Sequence, residues 1–147
     1  MAKEGVNLGL KIAKLEDLGF TYQKPEESVP TERIDFSMEH KITSGDDDQN
    51  IVFILKPRFS TGKKEPKLIS EFIFKVVFEV QGLEKLEVKK DEEELEVPDQ
   101  LIVTLFSIAY STMRGAFFEK NKGTMAERLI LPIIDPKSIL EGKKSEE

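Results

Sequence analysis

Val97-Pro-Asp-Gln-Leu-Ile-Val-Thr-Leu-Phe-Ser-Ile-Ala-Tyr-Ser-Thr-Met-Arg-Gly115 is the stretch whose reading decides the fold. Leu101, Leu105, Ile108 and Thr112 recur at helical spacing, and Ile102, Phe106, Ala109 and Met113 form a second stripe beside them. Two adjacent stripes make an apolar face wider than an ordinary amphipathic band, so the helix needs partners on more than one side. Pro98 suits the first turn, where a missing N–H costs nothing, and Asp99 places a negative charge at the positive end of the helix dipole. Arg114 favours the last turn and Gly115 a left-handed cap, which predicts a helix over 98–114. The β-branched residues in its middle lower helix propensity, so packing has to hold it. Leu101, Leu105, Ile108 and Met113 therefore line either a core or a subunit interface, two readings that the spacing leaves open.

The segments before this helix read as strands. Leu8 to Tyr22 is a long first strand with a bulge or kink near Glu16-Asp17, a short helix over Ala13–Leu18 being the competing reading. Two prolines punctuate a loop over Lys24–Pro30. Ile34, Phe36, Met38, His40 and Ile42 then alternate with Arg33, Asp35, Ser37, Glu39 and Lys41, the period of a strand with one wet face. After a Ser44–Asn50 turn, Ile51 to Phe59 is a third strand, and Pro57 places its far end at an edge or a bulge. A hairpin loop over Thr61–Pro66 leads into a fourth strand, Leu68 to Val80, with Phe72, Phe74, Val76, Phe78 and Val80 on its aromatic-rich face. Four strand signals followed by helix predict an α+β fold with an antiparallel meander or Greek-key sheet.

Leu83–Val97 is charge-dense and reads as a solvated loop or short exposed helix; an acidic docking site for a basic partner is the other reading. Beyond the long helix, Phe117 and Phe118 directly follow the expected cap, and Leu129–Ile134 is an apolar run broken by Pro132. Asp135 and Pro136 look like an N-cap and first helical position, opening a short C-terminal helix. The expected organisation is one domain over 1–142, with a charged crossover at 83–97 and a disordered tail at 143–147.

The totals narrow the function. A net charge of −6 argues against nucleic-acid binding, and the absence of Cys removes disulfides, thiolate metal sites and thiol nucleophiles. No signal-peptide layout and no apolar run near the ~20 residues of a membrane span are evident, which places the protein in the cytoplasm without membrane insertion. His40, the sole histidine, lacks an evident Ser or Asp partner. Asp46-Asp47-Asp48 lacks the glycine and distal Glu of a calcium loop, and Gly62-Lys63 lacks the rest of a phosphate loop. Catalytic residues, metal and cofactor are therefore all expected to be absent. Ten Phe in 147 residues, with apolar residues on both faces of the third and fourth strands, leave more apolar surface than one small body covers. That surplus points to a homo-oligomer, a peptide-binding groove, or both.

The order of parts resembles the SecB protein-export chaperone family. Ser111-Thr-Met-Arg-Gly-Ala-Phe117 looks like that family's Ser-x-x-x-Arg-Gly-x-hydrophobic signature, and Leu129–Leu140 is similar to its Leu-Pro-hydrophobic-Asn segment before the last helix, with Asp135 where the family commonly has Asn. Phe78–Leu83 resembles the strand end before its crossover, and Arg33–Met38 its alternating second strand. The resemblance implies a four-stranded antiparallel sheet, a crossover, a long helix and a short C-terminal helix. It implies an ATP-independent holdase for non-native or precursor polypeptides, delivered to the export translocase motor. It also implies a dimer of dimers with long helices between two sheet layers. By position, Ile34, Phe36 and Met38 become candidates for the peptide groove; Phe117 and Phe118 join them as apolar residues in need of a partner. The Lys/Glu-rich crossover departs from the family pattern and favours an alternative: an adaptor dedicated to one partner, such as an antitoxin chaperone, a phage-borne relative or an assembly factor. Family members dock the motor through acidic residues on the sheet; Asp35, Glu71 and Glu79 are acidic and outward here.

Overall fold

A computed structural model of the chain describes residues 9–25, 33–45, 49–62, 67–81, 89–90, 95–96, 99–129 and 131–145. Residues 26–30 of the expected Lys24–Pro30 loop, 46–48 of the Ser44–Asn50 turn and 63–66 of the Thr61–Pro66 hairpin loop, with Pro98 and most of the charged crossover, lie outside the described residues. Four strands, β1 (Gly9–Tyr22), β2 (Ile34–Ser44), β3 (Asn50–Thr61) and β4 (Lys67–Gln81), pair antiparallel in the order β1-β4-β3-β2. β2, β3 and β4 form a meander, and β1 returns beside β4, which makes the sheet a Greek key. In the crossover, β5 (Lys89–Lys90) pairs with β6 (Leu95–Glu96), and β6 lies beside β2. A two-stranded ladder thus stands in the stretch read as loop or helix. Helix α1 (Asp99–Lys120), a 3-10 turn (Met125–Arg128) and helix α2 (Pro136–Ser145) complete the chain. α2 extends through Ser145 into the stretch read as tail.

The register explains the sheet's two faces. Phe36 opposes Phe59, Ile42 opposes Phe53, and Phe53 and Leu55 oppose Val76 and Phe74, so the alternating apolar rows stack across strands on one inner face. Phe53, Phe72 and Phe78 are essentially inaccessible there. β1 carries register shifts between Ile12 and Lys14 and between Asp17 and Gly19, flanking the expected kink. Of the two readings of Pro57, edge or bulge, the edge fails because β3 is an interior strand, while the β3–β4 register does shift near that end, between Phe59 and Ser60. The pairing of Pro57 with Met38 of β2 is kept while the β4 ladder skips Lys56 and Pro57, so the missing N–H falls in the gap.

The outer face carries charge arranged in opposite-sign pairs. Glu71 Oε2 accepts from Arg58 Nε at 2.8 Å and also pairs with Lys56 at 3.8 Å. Glu16 pairs with Lys14 and Lys75, each at 3.7 Å, and Glu79 with Lys11 at 3.9 Å. Val52 and Val77, cross-strand neighbours, are buried beneath these side chains.

α1 runs on past Gly115 to Lys120, longer than the cap reading predicts. Met113 and Phe117 are one turn apart and both fully buried, so packing outweighs the ~1 kcal/mol that glycine costs inside a helix. The helix closes instead at Gly123, whose φ of 86° is the left-handed turn expected of Gly115. The extension also makes α1, by length and composition, apolar enough to cross a membrane, which the shorter reading did not foresee. Its apolar arc faces the sheet: Leu101, Leu105, Phe106, Ala109, Tyr110, Met113 and Phe117 are all buried. Ile108 points away and is 37% exposed.

Candidate polypeptide-binding site

Ring contacts fix how α1 crosses the sheet. Phe106, in its first half, packs on His40 of β2 at 5.4 Å and Phe53 of β3 at 6.2 Å. Phe117, near its end, stacks on Phe59 of β3 at 5.5 Å and Phe72 of β4 at 5.7 Å, and meets Phe20 of β1 edge-on. Lys120 then pairs with Asp17 of β1, and that cation holds the Asp17 carboxyl below its usual range. The helix therefore crosses diagonally from the β2 side to the β1 side, and one helix laid diagonally leaves two corners of the inner face without its cover.

At the first corner, Leu10 and Ile12 of β1 are each 41% exposed and Leu15 is 49% exposed. They share the inner face with Val80, Phe78 and Val76, their cross-strand partners.

At the second corner the chain builds a cavity of about 350 Å³. Phe59 and Phe117 supply aromatic walls, Gly115 and Phe118 come from α1, and Leu129, Leu131 and Ile133 close the other side. Phe118 is 42% exposed and Ile133 90% exposed, so the cavity has an apolar rim. Arg114 and Asn121 are its polar lining. Asn121 Nδ2 donates to the Phe117 carbonyl at 3.1 Å, while its buried Oδ1 has no partner among the described residues.

Hydrogen bonds hold the 129–134 wall in place. Tyr110 Oη donates to the Pro132 carbonyl at 2.6 Å across 22 residues of sequence. Burial pushes the Tyr110 hydroxyl up to about 12, against the pull of the Arg114 charge, so the donor keeps its proton at neutral pH. Thr124 caps the 3-10 turn by accepting from Ala126 N at 3.0 Å, and Met125 N donates to Tyr22 Oη of β1 at 3.0 Å. Asp135 caps α2 as the sequence suggests, accepting from Lys137 N at 3.2 Å and Ser138 Oγ at 2.9 Å.

Of the sequence-predicted groove residues, Ile34, Phe36 and Met38 lie half-buried in one row on the inner face of β2. Phe36 meets Phe59 at 5.8 Å, and Phe59 lines the cavity, so this row leads into the pocket. Phe117 is a buried ring in the cavity wall and Phe118 its exposed rim; both lie inside α1, not beyond its end. Leu101, Leu105 and Met113 are buried against the sheet and Ile108 faces outward. Arg114, Gly115, Leu129, Leu131 and Ile133 were not foreseen as lining. The available signals were a glycine inside an apolar helix and a proline inside an apolar run. His40 is half-buried against Phe106. No cluster of three or more metal-ligating side chains occurs among the described residues.

No protein-family model matches the chain, and no curated protein sequence matches it. Among solved structures it is similar to the SecB-like chaperone Rv1957 of Mycobacterium tuberculosis, solved in complex with a ChAD peptide from the HigA1 antitoxin. The two share 12% identity, the match covers 85% of this chain and 90% of that one, and the TM-score is 0.53. The four-stranded antiparallel sheet, long helix and short helix described above are thus the fold of a SecB-like chaperone.

Proposed function

We propose that this protein is an ATP-independent holdase that keeps non-native polypeptides soluble without making or breaking a bond. The observation that carries this reading is the apolar cavity, already formed at the end of α1 and continuous with the Ile34–Phe36–Phe59 row. An extended client would lay alternate side chains along the row and bury a large one in the cavity. Each apolar Å² removed from water contributes ~25 cal/mol before the ordering cost of the client. The reading requires no cofactor, no metal and no catalytic group. We place the protein in the cytoplasm, and we read the uncovered Leu10–Leu15 corner and the outward side of α1, with Ile108, as the surface that joins copies into a dimer of dimers. In purified form it should slow aggregation of a chemically unfolded client in the absence of nucleotide. No slowing at several-fold molar excess would contradict the proposal.

A second reading, an adaptor dedicated to one partner, is favoured by the solved relative's antitoxin peptide and by the charged crossover. A pulldown followed by mass spectrometry separates the two. One stoichiometric partner supports the adaptor, and a broad set of unfolded precursors supports the general holdase. Delivery to an export motor is the extension of the first reading. Of the acidic candidates for such docking, Glu71 and Glu79 are engaged by Arg58, Lys56 and Lys11, while Asp35 is exposed on the outer face of β2. Copurification of the motor with full-length protein tests that step.

A further inference from the structure

A cavity built only to bury grease has no use for a guanidinium. Arg114 lines the pocket between Phe117 and the 129–133 wall, yet no ion pair or hydrogen bond engages it among the described residues. Glu119, one turn further on, is taken by Lys122 at 3.2 Å. Arg114 is the one cation among the described residues that line the cavity, so it sets the sign of the charge offered there. Gly115 makes the second point. It lies within a 22-residue helix, where glycine is the costliest residue short of proline, and its φ is not left-handed. A Cβ at Gly115 would meet nothing within 4 Å, so no packing of the fold demands glycine there. Gly115 lines the pocket next to Arg114, and the space over it is open.

We propose that Arg114 and Gly115 form a specificity site within this pocket, selecting extended client segments in which a large apolar residue is followed by Asp or Glu. The apolar side chain enters over Gly115 against Phe59 and Phe117. The neighbouring carboxylate accepts from the Arg114 guanidinium at the mouth. The row from Ile34 through Phe36 to Phe59 guides a continuous chain into the cavity, which favours an internal acidic side chain over a chain terminus. This inference rests on the holdase reading of the same cavity and adds the charge preference to it.

The test uses full-length protein and synthetic twelve-residue peptides, acetylated and amidated, that differ only in a central Leu-Glu, Leu-Gln or Leu-Lys. Binding is read by competition fluorescence anisotropy. The Leu-Glu peptide should bind roughly five-fold more tightly than Leu-Gln, the scale of a partly exposed charge-assisted hydrogen bond, and Leu-Lys should bind weakest. The preference should shrink in high salt and vanish in Arg114→Gln, which should bind Leu-Glu and Leu-Gln equally well. Gly115→Leu should weaken all three peptides by about ten-fold or more, with a melting temperature unchanged or raised because a helix glycine is gone. Equal affinities for Leu-Glu and Leu-Gln, or a preference that survives Arg114→Gln, overturns the charge selection. A preference seen only with a free C-terminal carboxylate overturns the internal-acid assignment. If Gly115→Leu weakens all peptides but no charge preference exists, the selection fails while the holdase reading stands. If no peptide binds at all, both fall.

Discussion

The two corners of the inner face that α1 leaves open differ in kind. The β1 corner presents Leu10, Ile12 and Leu15, aliphatic side chains in a row on an edge strand, and its inner-face residues bear no charge until Asp17. The corner at the end of α1 is concave, walled by Phe59 and Phe117, roofed by the 129–134 segment, and carries Arg114 and Asn121. An exposed aliphatic row on the outermost strand of the described sheet suits an identical row on another copy. A cavity with an aromatic wall and a cation suits a foreign side chain with a charge beside it. The difference teaches that one diagonal helix can divide a small sheet into an exposed aliphatic row and an aromatic-walled cavity, which the proposed function assigns to assembly and to capture.

The comparison can be broken most sharply at β1. If copies assemble through this corner as proposed, the double substitution Ile12→Asp and Leu15→Asp should leave monomers by analytical ultracentrifugation, raising the dissociation constant by more than ~100-fold, because desolvating added carboxylates is costly. Peptide affinity per protomer should stay within about two-fold. A loss of client binding with assembly intact would exchange the roles of the two corners. A smaller, opposite effect is expected at the other corner. Phe118→Ser removes half of the exposed apolar rim and should weaken peptide binding by roughly five-fold, the scale of a partly buried aromatic side chain, with no change in sedimentation.

Tyr110→Phe tests what holds the cavity wall. Losing the hydrogen bond to Pro132 should cost about 1 kcal/mol in denaturant unfolding. The pH dependence has a definite sign. The Tyr110 hydroxyl titrates near 12 in the folded chain and near 10 when unfolded, so its contribution is full below about pH 10 and is lost as pH rises toward 12. That alkaline decline should be weaker in Tyr110→Phe, as read by circular dichroism. The smallest effect belongs to Asp17→Asn, at the end of α1 over β1. The Asp17–Lys120 pair is 41% exposed at both partners, so solvent screening leaves at most a few tenths of a kcal/mol. Asp17 is held below its usual range, so whatever it contributes is present above about pH 4 and is lost as pH falls through the lowered value.

The sheet was legible in the sequence because alternation is a local signal. The row Ile34, Phe36, Met38, His40, Ile42 needed only a period of two, and the register pairs those residues with Thr61, Phe59, Pro57, Leu55 and Phe53 in turn. Three things were not local. Pro57 reads as an edge or bulge residue, and it lies in an interior strand because the ladder to β4 skips Lys56 and Pro57, with a register shift just beyond, between Phe59 and Ser60. Gly115 reads as a helix cap, yet Phe117, buried between three aromatic rings, draws the helix onward. The cavity itself depends on Pro132 returning to Tyr110, a contact between residues 22 apart that no pattern within either segment announces. Ile34, Phe36 and Met38 could be named as candidates from alternation, whereas Arg114 and Gly115 acquire meaning only once the 129–134 wall lies against them.

The division of labour between the corners is tested most directly by photo-crosslinking. A benzophenone side chain is placed at Leu15 in one variant and at Phe118 in another, each mixed with an unfolded client and irradiated. The account predicts that the Leu15 probe joins two copies of this chain and the Phe118 probe joins the client. Client adducts at Leu15 in equal yield, or none at Phe118 while the client remains soluble, would contradict it.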